Sequence, residues 1–161
     1  MSNQVEVKKQ FKDVLTEMVS KGAQSFPKGV NSDRLKINAL MYINQDQKLA
    51  EMAQRSPMVI AQYVYNFISL GLDMLNRECY IIPYKDKLTV LKDYKGEIKL
   101  AKMYSVNPIR EIIARIVCQN DEYFFNENDH FIHKFDPFST SRGEKVGAFC
   151  TIIYENCMRQ T

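Results

Sequence analysis

Apolar residues recur at helical spacing through the first third of the chain and at strand spacing through much of the rest, which predicts helices first and strands after. From Val7 to Val19 the residues Phe11, Leu15, Met18 and Val19 share one stripe, with charges elsewhere. Gly22 and Pro27 punctuate the turn that follows. Ser32 is placed to cap a second helix, whose apolar residues are Leu35, Ile37, Leu40 and Met41. Asn44 to Asp46 weakens helical character before a short segment around Leu49 to Met52. The clearest helix opens with Ser56 as N-cap and Pro57 at the first helical position, where its missing N–H costs nothing. Ile60, Val64, Phe67 and Ile68 form its buried stripe and Gly71 its stop.

The period then changes. Cys79 to Tyr84 and Lys87 to Leu91 read as two strands joined by a tight turn around Lys85-Asp86, and a helix follows over Tyr94 to Tyr104. Pro108 to Gln119 is apolar on both faces, with Ile112, Ala114, Ile116 and Cys118 on one and Ile109, Ile113 and Val117 on the other. That pattern predicts a central strand. Tyr123 to Phe125, Phe131 to Phe135 and Val146 to Tyr154 supply further strands. Asn126-Glu127-Asn128-Asp129 has turn chemistry, and Asp136 to Glu144 reads as a mobile loop. The expected fold class is α+β: N-terminal helices, then a mostly antiparallel sheet with one helix packed on it.

Composition narrows the picture. At 161 residues, 45% hydrophobic and 25% charged, the chain is the size of one globular domain and too apolar for disorder. No apolar run approaches the roughly 18 residues of a membrane span, and the polar N-terminus lacks a signal-peptide core, so a cytoplasmic protein is expected. Cys79, Cys118, Cys150 and Cys157 have no CxxC spacing, and most lie in apolar runs, so they read as reduced, mostly buried thiols. The net charge is only +3, but between Tyr84 and Arg115 eight basic residues face four acidic ones. That window carries +4 and the remainder −1, a local positive field suited to a polyanion.

The most informative stretch is Lys92-Asp93-Tyr94-Lys95-Gly96, which joins a strand to a helix N-terminus, where free N–H groups and the dipole favour phosphate. Asp93 can cap that helix. Lys95, Lys99 and Lys102 then line one stripe, with Glu97 on the opposite side. A solvated lysine face is the plainer reading of such a stripe. Tyr80, Tyr84, Tyr94 and Tyr104 interleave with the charge; most should pack the sheet, with Tyr84 and Tyr94 the better candidates for base stacking. His130 and His133 fall on opposite faces of a strand, which favours cross-strand packing over a metal site. Phosphate-loop, dinucleotide, zinc-protease and nucleophile-elbow motifs are missing, so no catalytic residue, cofactor or metal is expected. The acidic residues Asp121, Glu122, Glu127, Asp129 and Asp136 leave a metal-dependent nuclease as a weak alternative.

Together these segments resemble the RecT/Redβ family of phage-type annealing recombinases. Ser56-Pro57-Met58 opens a helix ending Ser69-Leu70-Gly71-Leu72, followed by Cys79-Tyr80-Ile81-Ile82-Pro83-Tyr84, similar to the family's "GL" stop before an "A-Y-x-x-P" strand. Leu91 to Ala101 is similar to its "GY[RK]GxIxLA" element, with Asp93 where that element has glycine. Ile112 to Phe125, with Asp121-Glu122, is similar to its "V-x-x-x-D-x-F" strand pair. The likeness covers about Phe26 to Tyr154.

The resemblance implies ATP-independent annealing of complementary single-stranded DNA in recombination and DNA repair, through an annealed duplex intermediate and a homo-oligomeric ring or filament. It implies a bacterial or phage-infected cell and a partner exonuclease that supplies single strands. It places DNA against Tyr84, Lys85 and Lys87 on the hairpin, Tyr94, Lys95 and Lys99 at the turn and helix, and Arg110 and Arg115. Lys92 and Lys102 join these from the charge pattern. Family members continue beyond the position of Thr161 with a further strand and basic helices, so a single RecT-like domain over 1–161 without that end is expected. The alternative within the family is a non-catalytic oligomerisation or interaction module from a truncated recombinase.

Overall fold

The computed structural model describes residues 2–85, 87–127, 130–156 and 159–160, with side chains described for 11–85, 87–127 and 130–156. The expected turn residues Asp86, Asn128 and Asp129, and Cys157, lie outside the described residues. The chain divides into two compact units, Met1–Leu100 and Ala101–Thr161.

The first unit is built around four helices: α1 (Ser2–Gly22), α2 (Ser32–Gln45), α3 (Gln47–Arg55) and α4 (Pro57–Ser69). Phe11, Leu15 and Val19 of α1 are buried as the apolar stripe requires. In α2 the buried residues are Leu35, Ala39 and Ile43, whereas the expected Ile37 and Met41 are 54% and 51% exposed. Apolar residues cover more than one face of this helix, and only packing chooses between them. Its cap also differs by one residue: the Asn31 side chain accepts the Arg34 N–H at 3.0 Å, and Ser32 is already helical. Asp46 caps α3 in the same way, accepting the Leu49 N–H at 2.9 Å.

Helix α4 opens at Pro57, as expected, and buries Ile60, Ala61, Val64, Phe67 and Ile68. Gly71 (φ 75°) reverses the chain, the Leu72 N–H reaching the Phe67 carbonyl and the Gly71 N–H that of Ile68. This is a Schellman stop, which uses the left-handed conformation that glycine adopts without strain.

Strands β1 (Cys79–Tyr84) and β2 (Lys87–Lys92) form an antiparallel hairpin, pairing Cys79 with Lys92 and Tyr84 with Lys87. Its inner face sets Cys79, Ile81, Leu88 and Val90 against the helical core, and its outer face shows Ile82, Tyr84, Lys87, Thr89 and Leu91 to solvent. Helix α5 (Tyr94–Tyr104) follows, and Leu100 packs against the same core. Gly96 is buried where α5 crosses the start of β1, so closely that a Cβ would land on the Glu78 carbonyl oxygen. The glycine of the Tyr94-Lys95-Gly96 element is therefore required by backbone-to-backbone packing.

The second unit begins in the last turn of α5. Strands β3 (Ile109–Cys118), β6 (Lys145–Tyr154) and β7 (Arg159–Gln160) form an antiparallel sheet in the order β3-β6-β7, and β4 (Glu122–Phe125) and β5 (Phe131–Lys134) form a separate pair. The α+β class is thus as expected, with the described strands in three antiparallel sheets instead of one. Among the described residues β3 pairs with β6 alone, so it is an edge strand and not the central strand expected. Val117 and Cys118 are its buried residues, and Ile116 is 46% exposed. Apolar composition on two faces reports what a strand could bury; it does not count hydrogen-bonded neighbours.

Cys79 and Cys118 are free and buried, and burial pushes the Cys79 thiol up to about 12. Cys150 is exposed, contrary to its place in an apolar run. Among the described residues no helix is long and apolar enough to cross a membrane.

Candidate nucleic-acid interface

The hairpin of the first unit carries cations at both ends. At its tip Tyr84 is 66% exposed, Lys85 turns the chain with φ 53°, and its ammonium lies 5.7 Å from the Tyr84 ring centroid. Lys87, opposite Tyr84 in register, is exposed on the same outer face. The strands between tip and base span roughly 17 Å at the usual rise per residue. At the base lie Lys92, Tyr94 (67% exposed) and Lys95. Lys92 forms an ion pair with Glu97 at 2.9 Å; Lys95 is exposed.

An open groove of ≈ 570 Å³ runs beside the tip, between α3, α4 and the hairpin. Lys48 and Arg55 of α3 and Lys85 of the hairpin bring three cations to it, against one carboxylate, Glu51. Ile60 and Leu88 are among its apolar residues, and Ser56 and Tyr63 add hydroxyls. Lys48 and Arg55 are seven residues apart, two turns on one helix face. Sequence reasoning did not single them out, because nothing local to α3 announces that the hairpin will fold beside it.

The turn into α5 is held by a polar network. The Tyr80 hydroxyl donates to the Asp93 carboxylate at 2.9 Å, which raises the Tyr80 pKa, and the Asp93 N–H donates to the Glu78 carbonyl. The Asp93 carbonyl accepts the first helical N–H, from Glu97. The Lys99 ammonium donates to the Gly71 carbonyl at 2.6 Å and to the Glu78 carboxylate at 2.7 Å. That carboxylate also accepts the Asp73 N–H. Asp73, 1% exposed, in turn accepts from Asn38, Asn76 and the Leu75 N–H. Lys99 therefore braces α5 against the Gly71 turn, while Lys95, one helical turn earlier, is left in solvent. Asp73 had no sequence signal beyond an acidic residue in a turn.

Lys102, Arg110 and Arg115 belong to the second unit. The Lys102 ammonium donates to the Arg110 carbonyl at 3.3 Å, and the Arg110 side chain is exposed. The Arg115 guanidinium lies 5.4 Å from the Phe135 ring centroid. Phe135 also stacks on His133, and Arg142 lies 4.2 Å from its centroid.

The keystone of this unit is Asp121, whose side chain is 1% exposed. It accepts from Arg142 through both oxygens, at 2.9 and 2.6 Å, from the Cys118 N–H at 2.8 Å, and from the His133 ring at 2.8 Å. The Arg142 fork, aided by those other bonds, holds its carboxyl well below the usual carboxylate range. The His133 ring packs against those of Phe131, Phe135 and Phe149, and its Nδ1 has no hydrogen-bond partner among the described residues. Glu122 pairs with Lys134. Of the acidic residues imagined as a nuclease centre, Asp121 is bound by Arg142 and Asp136 accepts the Phe138 N–H, while Glu127 is exposed. Among the described residues no group of three or more His, Cys, Asp or Glu could hold a metal ion.

No curated protein matches the chain at a significant level. The RecT family model matches residues 33–161, from the start of α2 onward, and takes in the hairpin, the Gly96 element and the Asp121 strand pair. The chain belongs to the RecT family.

Proposed function

We propose that this chain binds single-stranded DNA and anneals complementary strands without ATP, the activity by which RecT-family proteins serve recombination. The observation that carries the reading is the groove where Lys48, Arg55 and Lys85 converge beside exposed Tyr84 and Lys87. Phosphates held by such cations position a strand while leaving its base edges free to pair. Lys92, Tyr94 and Lys95 extend the interface at the far end of the hairpin. Lys102, Arg110 and Arg115 are assigned subsidiary roles in the second unit, and Lys99 contributes chiefly by holding α5 in place. Annealing forms base pairs and makes or breaks no covalent bond, so no residue is assigned a catalytic role.

A homo-oligomeric assembly, as a ring or filament in the cytoplasm, is part of the same reading. It is supported by an apolar groove of ≈ 350 Å³ in the second unit, lined by Tyr123, Phe125, Val146 and Phe149 among others. An exonuclease that produces single strands is the expected upstream partner.

The test is charge reversal in the groove. Replacing Lys48 and Arg55 by Glu should leave thermal unfolding nearly unchanged, since both are exposed. It should weaken oligonucleotide binding by at least tenfold and flatten its dependence on salt, by about 0.7 in log–log slope for each phosphate no longer neutralised. Unchanged affinity in the double variant would remove the groove from the interface.

A further inference from the structure

We propose that Phe138 is a base-stacking residue, presented to single-stranded nucleic acid by a pre-organised loop; the proposal rests on the DNA-binding reading above. Phe138 is 91% exposed, yet the loop that carries it is tied down on both sides. On one side Asp136 accepts the Phe138 N–H through its carboxylate at 2.9 Å and the Ser139 N–H through its carbonyl at 3.2 Å. On the other, Arg142 grips Asp121, its carbonyl accepts the Asn120 N–H at 3.0 Å, and the Asn120 side chain donates to the Ser141 carbonyl at 2.7 Å. The Ser139 and Ser141 hydroxyls bond one another at 2.9 Å across the tip. A ring held out in water on so constrained a loop has little freedom left to give up on binding.

The chemistry around the ring selects the occupant. From Pro137 to Gly143 there is no acidic side chain, and Ser139, Thr140 and Ser141 offer hydroxyls of the kind that bond phosphate and sugar oxygens. The Asp136 carboxylate is turned inward to the loop's own N–H. A planar apolar face beside neutral donors fits a nucleobase with its sugar-phosphate, and it does so without reading sequence, because every base has a π-face. Arg142, which holds the loop from beneath, acts as a positioning residue.

The chain contains no tryptophan, so Phe138→Trp installs a single reporter at the tip. Its fluorescence should be quenched when a single-stranded oligonucleotide is added, with the same midpoint as the anisotropy of a labelled strand. An oligonucleotide with abasic sites throughout should bind through its phosphates without quenching. Phe138→Ala should weaken binding by roughly fivefold to a hundredfold, leaving the melting temperature and the salt slope unchanged. Full anisotropy binding with no quenching would overturn the stacking role while sparing the DNA-binding reading. Absence of anisotropy binding by the unsubstituted chain would overturn both. A blue shift that grows with protein concentration in the absence of DNA would show the ring buried against a second copy, and would overturn the proposal in that way.

Discussion

Substituting Gly96 by Ala makes the sharpest test of how the turn into α5 is held. On helix propensity alone the change should stabilise, because alanine is worth about 0.5–1 kcal/mol over glycine inside a helix. The structure predicts the opposite. The new Cβ would meet the Glu78 carbonyl oxygen, a backbone atom that cannot rotate aside. Overpacking of this kind costs about 1–3 kcal/mol. To relieve it, α5 must lift from Glu78, which stretches the Asp93 N–H bond to that carbonyl and the two Lys99 bonds. Weakened charged hydrogen bonds raise the net loss to about 2–4 kcal/mol, or a melting point lower by about 5–15 °C for a chain of this size. Gly147 in β6 provides the control, since a Cβ there meets nothing within 4 Å. Thermal unfolding of the two alanine variants should therefore diverge, G96A falling and G147A holding or rising. A G96A protein that melts at or above the parent would refute the packing argument for this glycine.

Three further outcomes follow from the polar networks and from burial. Lys95→Ala should weaken single-strand binding and leave the melting point alone, whereas Lys99→Ala should cost about 1–2 kcal/mol of stability in urea melts, with the smaller direct effect on DNA binding. Reversal of that ranking would return Lys99 to the phosphate-binding set. Because the folded Asp121 carboxyl titrates below its ordinary 3.8, its contribution to stability is complete above about pH 4 and is lost as the pH falls through the folded value. Urea midpoints of Asp121→Asn should accordingly lie well below the parent at neutral pH and approach it in acid, and a gap constant with pH would contradict the assignment. In the native protein Cys150 should react readily with a maleimide while Cys79, buried and raised to about 12, stays protected until unfolding.

Where the determinants are local, the sequence was readable. Pro57 and Gly71 bracket α4 because a missing N–H and a left-handed turn act within a few residues. The hairpin and α5 likewise stood where the change in period put them. Choices made by packing were not readable: α2 offers Ile37 and Met41 as readily as Ala39 and Ile43, and the fold took the latter. The same limit applies to the candidate site. Lys95 and Lys99 are equivalent by spacing, yet only Lys99 reaches back 28 residues to the Gly71 carbonyl. Arg142 lies 21 residues from Asp121 in a stretch whose composition reads as mobile loop, so their union, and the rigid presentation of Phe138, had no sequence signature. Lys48 and Arg55 became visible only once the hairpin brought Lys85 beside them.

Fluorescence anisotropy with a labelled single-stranded oligonucleotide at two salt concentrations, followed by its complement without nucleotide, bears most directly on the function. Binding should fall steeply as salt rises, and the protein should then speed strand annealing. No binding at low salt, or tight binding with no effect on annealing, would contradict the proposed role.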